Sequence, residues 1–136
     1  LRLQQKNGLP CSGEKSNTGK TRTIIMNWIP LTNEEQLAII TQRSSDVPQL
    51  IFKHSTRCSI STMAKSRLER SAPPPGIEFH FLDLIQYRQV SNRIAEVFSV
   101  HHESPQVLLI RNGECIYEES HNAISMDEIS AQAENA

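Results

Sequence analysis

From residue 26 onward the apolar positions recur with two alternating periods. "LTNEEQLAIITQRS" (31–44) spaces Leu37, Ala38 and Ile40 as the buried stripe of a helix. Thr32 is placed to cap it, and Glu34 and Glu35 fall in the first turn, where carboxylates meet the positive end of the helix dipole. Asp46-Val47-Pro48 ends that helix. "QLIFK" (49–53) is a short, nearly continuous apolar run and predicts a buried strand. Helical spacing returns from Ser59 to about Ser71, with Met63, Ala64 and Leu68 facing inward. "APPPG" (72–76) is a turn that neither helix nor strand can cross. "IEFHFLDL" (77–84) alternates as a strand does, and "YRQVSNRIAEVFSV" (87–100) is a helix with Val90, Ile94, Ala95, Val97 and Phe98 as its core face. "QVLLIRNGECIYEES" (106–120) is a hairpin closed at Asn112-Gly113, a favoured two-residue turn. "SMDEISAQAENA" (125–136) opens with a Ser-x-x-Glu capping box and predicts a last helix.

The order is α-β-α-β-α-β-β-α. Strands joined through a helix pair in parallel and a hairpin pairs antiparallel, so the expectation is a small mixed sheet of four strands with helices on both faces. Trp28, the lone tryptophan, is expected to cover the edge of the core.

Residues 1–25 interrupt this picture. They are rich in Asn, Lys, Gly, Ser and Thr and show neither period. "GEKSNTGKT" resembles a phosphate-binding loop, but five residues separate Gly13 from Gly19 where that motif has four, and no strand precedes it. The first methionine is Met26, just before the periodic pattern begins. Residues 1–25 are therefore expected to be a disordered leader outside the native domain, an over-long start or an expression remnant, with the domain at 26–136.

Charge follows the same division. Residues 1–25 carry a net +4 and residues 26–136 a net −5. An acidic body argues against nucleic acid as partner. No apolar run approaches the roughly 20 residues needed to span a bilayer. Three scattered cysteines, Cys11, Cys58 and Cys115, make no disulfide framework, and an odd count favours a reducing, cytoplasmic compartment.

Cys58 is the residue whose surroundings suggest chemistry. It falls in "HSTRCSIS" (54–61), where the apolar run ends and a helix begins. The thiolate is the reactive form of cysteine, and unpaired N–H groups at a helix start favour an anion there. Arg57 is adjacent, and Lys53, Arg57, Lys65, Arg67 and Arg70 make residues 51–70 locally basic against Glu69 alone. A buried, inert Cys58 is the competing reading, but Ser55, Thr56, Arg57, Ser59 and Ser61 are poor company for a core residue. Ser61 stands three residues on, where a dithiol enzyme keeps its second thiol. A hydroxyl cannot resolve a mixed disulfide, but it can donate a hydrogen bond to a thiolate. Arg57, Ser61 and Thr56 are the expected thiolate-stabilising residues.

A strand, Cys-x-x-Ser, a helix, and "ESPQVLLI" with Pro105 before the next strand together resemble a thioredoxin-like fold. "FKHSTRCSIS", "SNRIAEVFSVHHESPQVLLIRNGE" and "SHNAIS" resemble the YtxJ-like bacillithiol system proteins, the monothiol bacilliredoxins, over about residues 27–125. Ser59 stands where some members have proline, which leaves the helix start less rigid. The resemblance implies Cys58 as the nucleophile and a cis Pro105 facing it, with Ser104 and Pro105 offering backbone to a substrate strand. It also implies bacillithiol as co-substrate, with no bound cofactor, and S-thiolated client proteins as partners of a monomer. Thiol exchange is the chemistry that the residues themselves support; the identity of the small thiol comes from the resemblance.

The remaining candidates are read more plainly. Cys115, on the second hairpin strand, is a structural thiol rather than a resolving one, and Cys11 has no assignable role. Adjacent His101-His102, with His54, His80 and His121, give no shared ligand face, so no metal is expected and these histidines read as loop or hydrogen-bonding residues near the substrate groove. Arg88 and Arg93 read as solvated surface. Two further functions stand beside a monothiol disulfide reductase: a non-enzymatic redox sensor or thiol carrier, and a binding module that kept the fold and lost turnover.

Overall fold

The computed structural model describes residues 26–135. The expected leader, its loop-like "GEKSNTGKT" and Cys11 lie outside the described residues. The elements in chain order are β1 (Trp28–Pro30), α1 (Glu35–Arg43), β2 (Gln49–His54), α2 (Ser59–Arg70), β3 (Glu78–Asp83), α3 (Arg88–Phe98), β4 (Gln106–Arg111), β5 (Glu114–Ser120), a short 3-10 turn (His121–Ala123) and α4 (Met126–Glu134).

The sheet has five strands in the order β1-β3-β2-β4-β5. β1 and β2 both run parallel to β3, while β4 pairs antiparallel with β2 and β5 with β4. The fifth strand beyond the expected four is β1. It is three residues long and includes Pro30, which an edge tolerates because one side of the strand needs no donor. Its anchor is Trp28, whose ring stacks on Phe52 at 5.6 Å and meets Phe79 and Phe81 edge-on, while its indole N–H donates to Glu69 Oε2 at 2.8 Å. Trp28 thus does cover the core edge.

β2 is central, and all six of its residues are buried. Alternation along it divides the core. Ile51 faces Leu37, Ile40, Val90, Ile94 and Phe98 of α1 and α3. Leu50 and Phe52 face Ala64, Leu68, Met126 and Ile129 of α2 and α4. Helices cover both faces, as the pattern predicts. Truncating a side chain such as Leu108, which has no exposed surface, costs roughly 3 kcal/mol in a packed interior.

Three helical positions differ from the periodic reading. Ala38 is exposed, as are Met63 (58 %) and Val97 (40 %). Each lies at the margin of its apolar stripe, where helical spacing alone does not decide which side turns to solvent. The start of α1 differs too. Asn33 Oδ1 accepts from the Gln36 N–H at 3.0 Å, and Gln36 Oε1 accepts from the backbone of Thr32 and Asn33. Asn33 rather than Thr32 therefore supplies the reciprocal cap, because it is the residue three before a glutamine. The Ser125 cap of α4 is as expected, its hydroxyl accepting from the Glu128 N–H. At the hairpin, Asn112 (φ 54°) and Gly113 (φ 79°) both adopt the left-handed conformation that a tight two-residue turn requires.

Candidate functional site

The carboxyl ends of β1, β2 and β3 and the amino end of β4 share one edge of the sheet. Cys58 lies at this edge. It is the N-cap of α2, with extended backbone (φ −115°, ψ 120°), and its carbonyl opens the helix by accepting from the Thr62 N–H at 3.1 Å. The turn before it closes through the Cys58 N–H to the Ser55 carbonyl at 3.2 Å. Its thiol is free and partly exposed. Thr56 and Arg57 are exposed on the same turn.

Ser61 is placed differently from expectation. It is fully buried, its Oγ accepts from the Ser55 N–H at 3.0 Å, and it lies 2.7 Å from His54 Nδ1. Its hydroxyl ties the end of β2 to the first turn of α2; among the described residues its hydrogen bonds run to Ser55 and His54 rather than to Cys58. The position that a resolving thiol would take is here a buried strut of the Cys58 turn. Burial, with Lys65 nearby, pushes His54 below the ordinary histidine range, so its ring is neutral at pH 7. The ring also lies 5.4 Å from Phe81 and 5.8 Å from Phe52, which fixes its plane.

The basic surroundings counted along the chain separate in space. Lys53 is fully buried and points to the opposite face of the sheet, toward α3. Lys65 pairs with Glu69 at 2.7 Å and lies over the Phe81 ring. Arg67 donates to the carbonyls of His121, Asn122 and Ile124, pinning the 3-10 turn to α2. Arg57 is the cation adjacent to Cys58 that keeps no such engagement among the described residues. Counting charges along a helix overstates the local field because it ignores the direction of each side chain.

The Ser104–Pro105 bond is cis. Lys53 pairs with Gln106, so the same register carried one step further sets Pro105 beside His54, four residues before Cys58. The Pro105 carbonyl accepts from the His121 N–H at 3.0 Å. Ser104 Oγ is buried without a partner among the described residues. Gln106, fully buried, holds the preceding loop: its Nε2 donates to the His101 carbonyl at 3.0 Å, and its Oε1 accepts from the Glu103 N–H at 3.4 Å.

The histidines are dispersed. His80 lies in the core in the middle of β3, paired with Ile51, rather than near the groove, with Nε2 2.7 Å from Gln49 Oε1. His101 and His121 flank Glu103, each at 3.7 Å. Among the described residues no group of three His, Cys, Asp or Glu is placed to hold a metal. Among the described residues no helix is long and apolar enough to cross a membrane.

Cys115 is remote from Cys58. It pairs with Ile110, which pairs with Gln49, so it stands at the opposite end of β2. Five residues at about 3.3 Å each put roughly 17 Å between that level and His54. Burial pushes its thiol up, and its Sγ–H donates to the Tyr117 carbonyl at 3.3 Å. A cleft of about 580 Å³ between Thr32–Glu35 and Gln86–Val90 does not touch Cys58.

Gln106 is a positioning group to which pattern reading gives no role, while Lys53 reads there only as part of the basic stretch and His54 only as a hydrogen-bonding residue near the groove. The signal was present: polar residues at the end of an apolar run that is buried on both faces must find partners.

Comparison with known proteins agrees with this geometry. Among solved structures, one described as an oxidoreductase with a thioredoxin fold superposes with a TM-score of 0.67 at 26 % identity, over 76 % of this chain and 91 % of that one. Thioredoxin from Malassezia sympodialis gives 0.62 at 16 % identity, over 79 % and 90 %. Thioredoxin from Trypanosoma brucei brucei gives 0.64 at 13 %, over 80 % and 89 %. These two likenesses show the fold. The family model for the monothiol bacilliredoxin BrxC matches residues 29–129. With the thioredoxin fold and a free thiol at a helix start, the chain belongs to the monothiol bacilliredoxin family of thiol redox proteins.

Proposed function

We propose that the protein is a monothiol thiol-disulfide oxidoreductase that removes bacillithiol from protein mixed disulfides through Cys58. The observation that carries this reading is the position of Cys58: a partly exposed thiol as N-cap of α2, at the end of the sheet where Pro105 immediately precedes β4. The Cys58 thiolate attacks the bacillithiol sulfur of the mixed disulfide. A Cys58–bacillithiol disulfide forms, the original S–S bond breaks, and the client leaves as a thiolate that takes a proton from water. A second bacillithiol thiolate then attacks the bacillithiol sulfur on Cys58, releasing the oxidised bacillithiol dimer and restoring Cys58. Ser61 cannot open an internal route, because it has no sulfur and its hydroxyl is committed to Ser55 and His54. Backbone at Ser104 offers pairing to the client strand, since the Pro105 carbonyl is already taken by His121.

The test is a single-cysteine reporter protein carrying bacillithiol in a mixed disulfide, treated with the protein and excess bacillithiol. Many reporters freed per protein chain support the enzyme. One equivalent freed and then arrest would instead make the protein a sensor or carrier.

A further inference from the structure

Lys53 is an unusual occupant of a core strand. It has no exposed surface, and among the described residues no carboxylate pairs with it. Its ammonium is 3.3 Å from the Ser91 carbonyl of α3 and 3.2 Å from His102 Nδ1. A lysine ammonium only donates, so Nδ1 must be the acceptor and the ring proton must sit on Nε2. The environment agrees with a neutral ring: burial, then the charges of Lys53 and Arg88, hold His102 below the ordinary histidine range, against Glu103. Ser91, itself buried, places its hydroxyl 3.4 Å from the same nitrogen.

His102 belongs to the loop that ends in Ser104 and cis Pro105. That loop is held from below at two points. Gln106 takes the His101 carbonyl and the Glu103 N–H, and Lys53 takes the His102 ring. Lys53 and His54 are neighbours on β2 and point to opposite faces. His54 fixes the turn that carries Cys58, and Lys53 fixes the loop that carries Pro105.

We propose that Lys53 is a positioning residue for disulfide exchange: its buried ammonium locks His102 in the Nε2–H form and so sets the 101–104 loop against which the client docks. This rests on the exchange function proposed above. It explains why a strand that is otherwise core carries a cation at this level. A methylene chain ending in methyl would fill the same volume without the cost of burying charge, and it could not hold the loop.

Lys53→Met, His102→Ala and His102→Asn test the assignment. In Lys53→Met the melting temperature is expected to hold or rise, and alkylation of Cys58 by iodoacetamide to stay within about twofold of wild type. KM for the bacillithiolated reporter is expected to rise about tenfold, the scale of one lost charge-assisted hydrogen bond, with kcat little changed. His102→Ala should reproduce the KM effect. His102→Asn, whose amide oxygen can take the place of Nδ1, should recover most of it. Nitrogen NMR of the His102 ring should show a fixed Nε2–H form in wild type and a mixture of forms in Lys53→Met, with amide shifts through residues 101–106. An unchanged KM in folded Lys53→Met, or an unchanged ring tautomer, overturns the proposal. If wild type does not free the reporter, the exchange reading fails, and the ring and amide spectra still decide whether Lys53 sets the loop. If Lys53→Met does not fold, the His102 pair puts the same question.

Discussion

His54 and His80 are both buried strand histidines held neutral by burial; His54 closes β2 beside the Cys58 turn, whereas His80, three rungs back along β3, bonds toward the other end of the sheet. His80 bonds Gln49, which in turn donates to Glu78, itself paired with Arg43. Apart from the Val47 carbonyl, which also accepts from Gln49 Nε2, the partners there belong to strands and a helix, and the network binds regular elements to one another. His54 instead bonds Ser61 at a helix start, and through it the turn that precedes Cys58. The cysteines divide in the same way. Cys115 is a half-buried strand residue with its thiol pushed up, whereas Cys58 is a partly exposed helix cap. The residue types match at the two ends. What differs is whether the buried polar groups hold regular structure or hold the loops that leave it.

Replacing the two thiols separates the ends most sharply. Cys58→Ser is expected to abolish release of the bacillithiolated reporter, because no other described thiol stands at that edge. Residual turnover above a few per cent of wild type would remove Cys58 from the centre of the mechanism. The strut comes next. Ser61→Ala leaves the Ser55 N–H and His54 Nδ1 without their partner, so denaturant unfolding should show a loss of about 2–4 kcal/mol. A loss under about 0.5 kcal/mol would mean that the turn stands without the hydroxyl.

The far end should announce itself through pH. Burial pushes His80 down to about 4 from an ordinary 6.5. Between those values the unfolded chain binds a proton that the folded chain does not, so the stability contributed by a neutral His80 is intact above about pH 6.5 and drains as pH falls toward 4. The full effect is on the order of 3 kcal/mol. Melting temperature followed against pH should fall over this window in wild type and more shallowly in His80→Gln; equal slopes would assign the acid sensitivity elsewhere. The smallest change is expected from Cys115→Ser, which should leave reporter turnover within about twofold of wild type. A large loss of turnover would mean that the two ends communicate.

Much of this was legible in the sequence. The order of elements, the hairpin at Asn112-Gly113, the α4 cap and the isolation of Cys58 at a helix start follow from period and turn chemistry. β1 was not, because three residues with a proline carry no period and Trp28 declares itself only when Phe52, Phe79 and Phe81 surround it. Lys53 was counted as a charge near Cys58. Strand alternation, which pairs it with Ile51 on the α3 side, contained the correction. Spacing alone gives Ser61 to the thiolate, since nothing local says that a histidine seven residues earlier, at the end of a strand and across a turn, claims the hydroxyl first. The sequence thus resolves elements well and side-chain direction at their ends poorly, and this site is made of element ends.

The two outer strands have a consequence for how copies of this chain meet in a crowded solution. A sheet whose margins are long, flat and apolar recruits further strands and aggregates. Among the described residues one margin is β1, only three residues and closed by Pro30. The other is β5, which carries Glu114, Glu118 and Glu119, so a second copy approaching strand to strand would bring like charges together. Both margins discourage open-ended growth of the sheet, so the client pairing proposed at the Ser104 loop does not require the protein to be adhesive along its length.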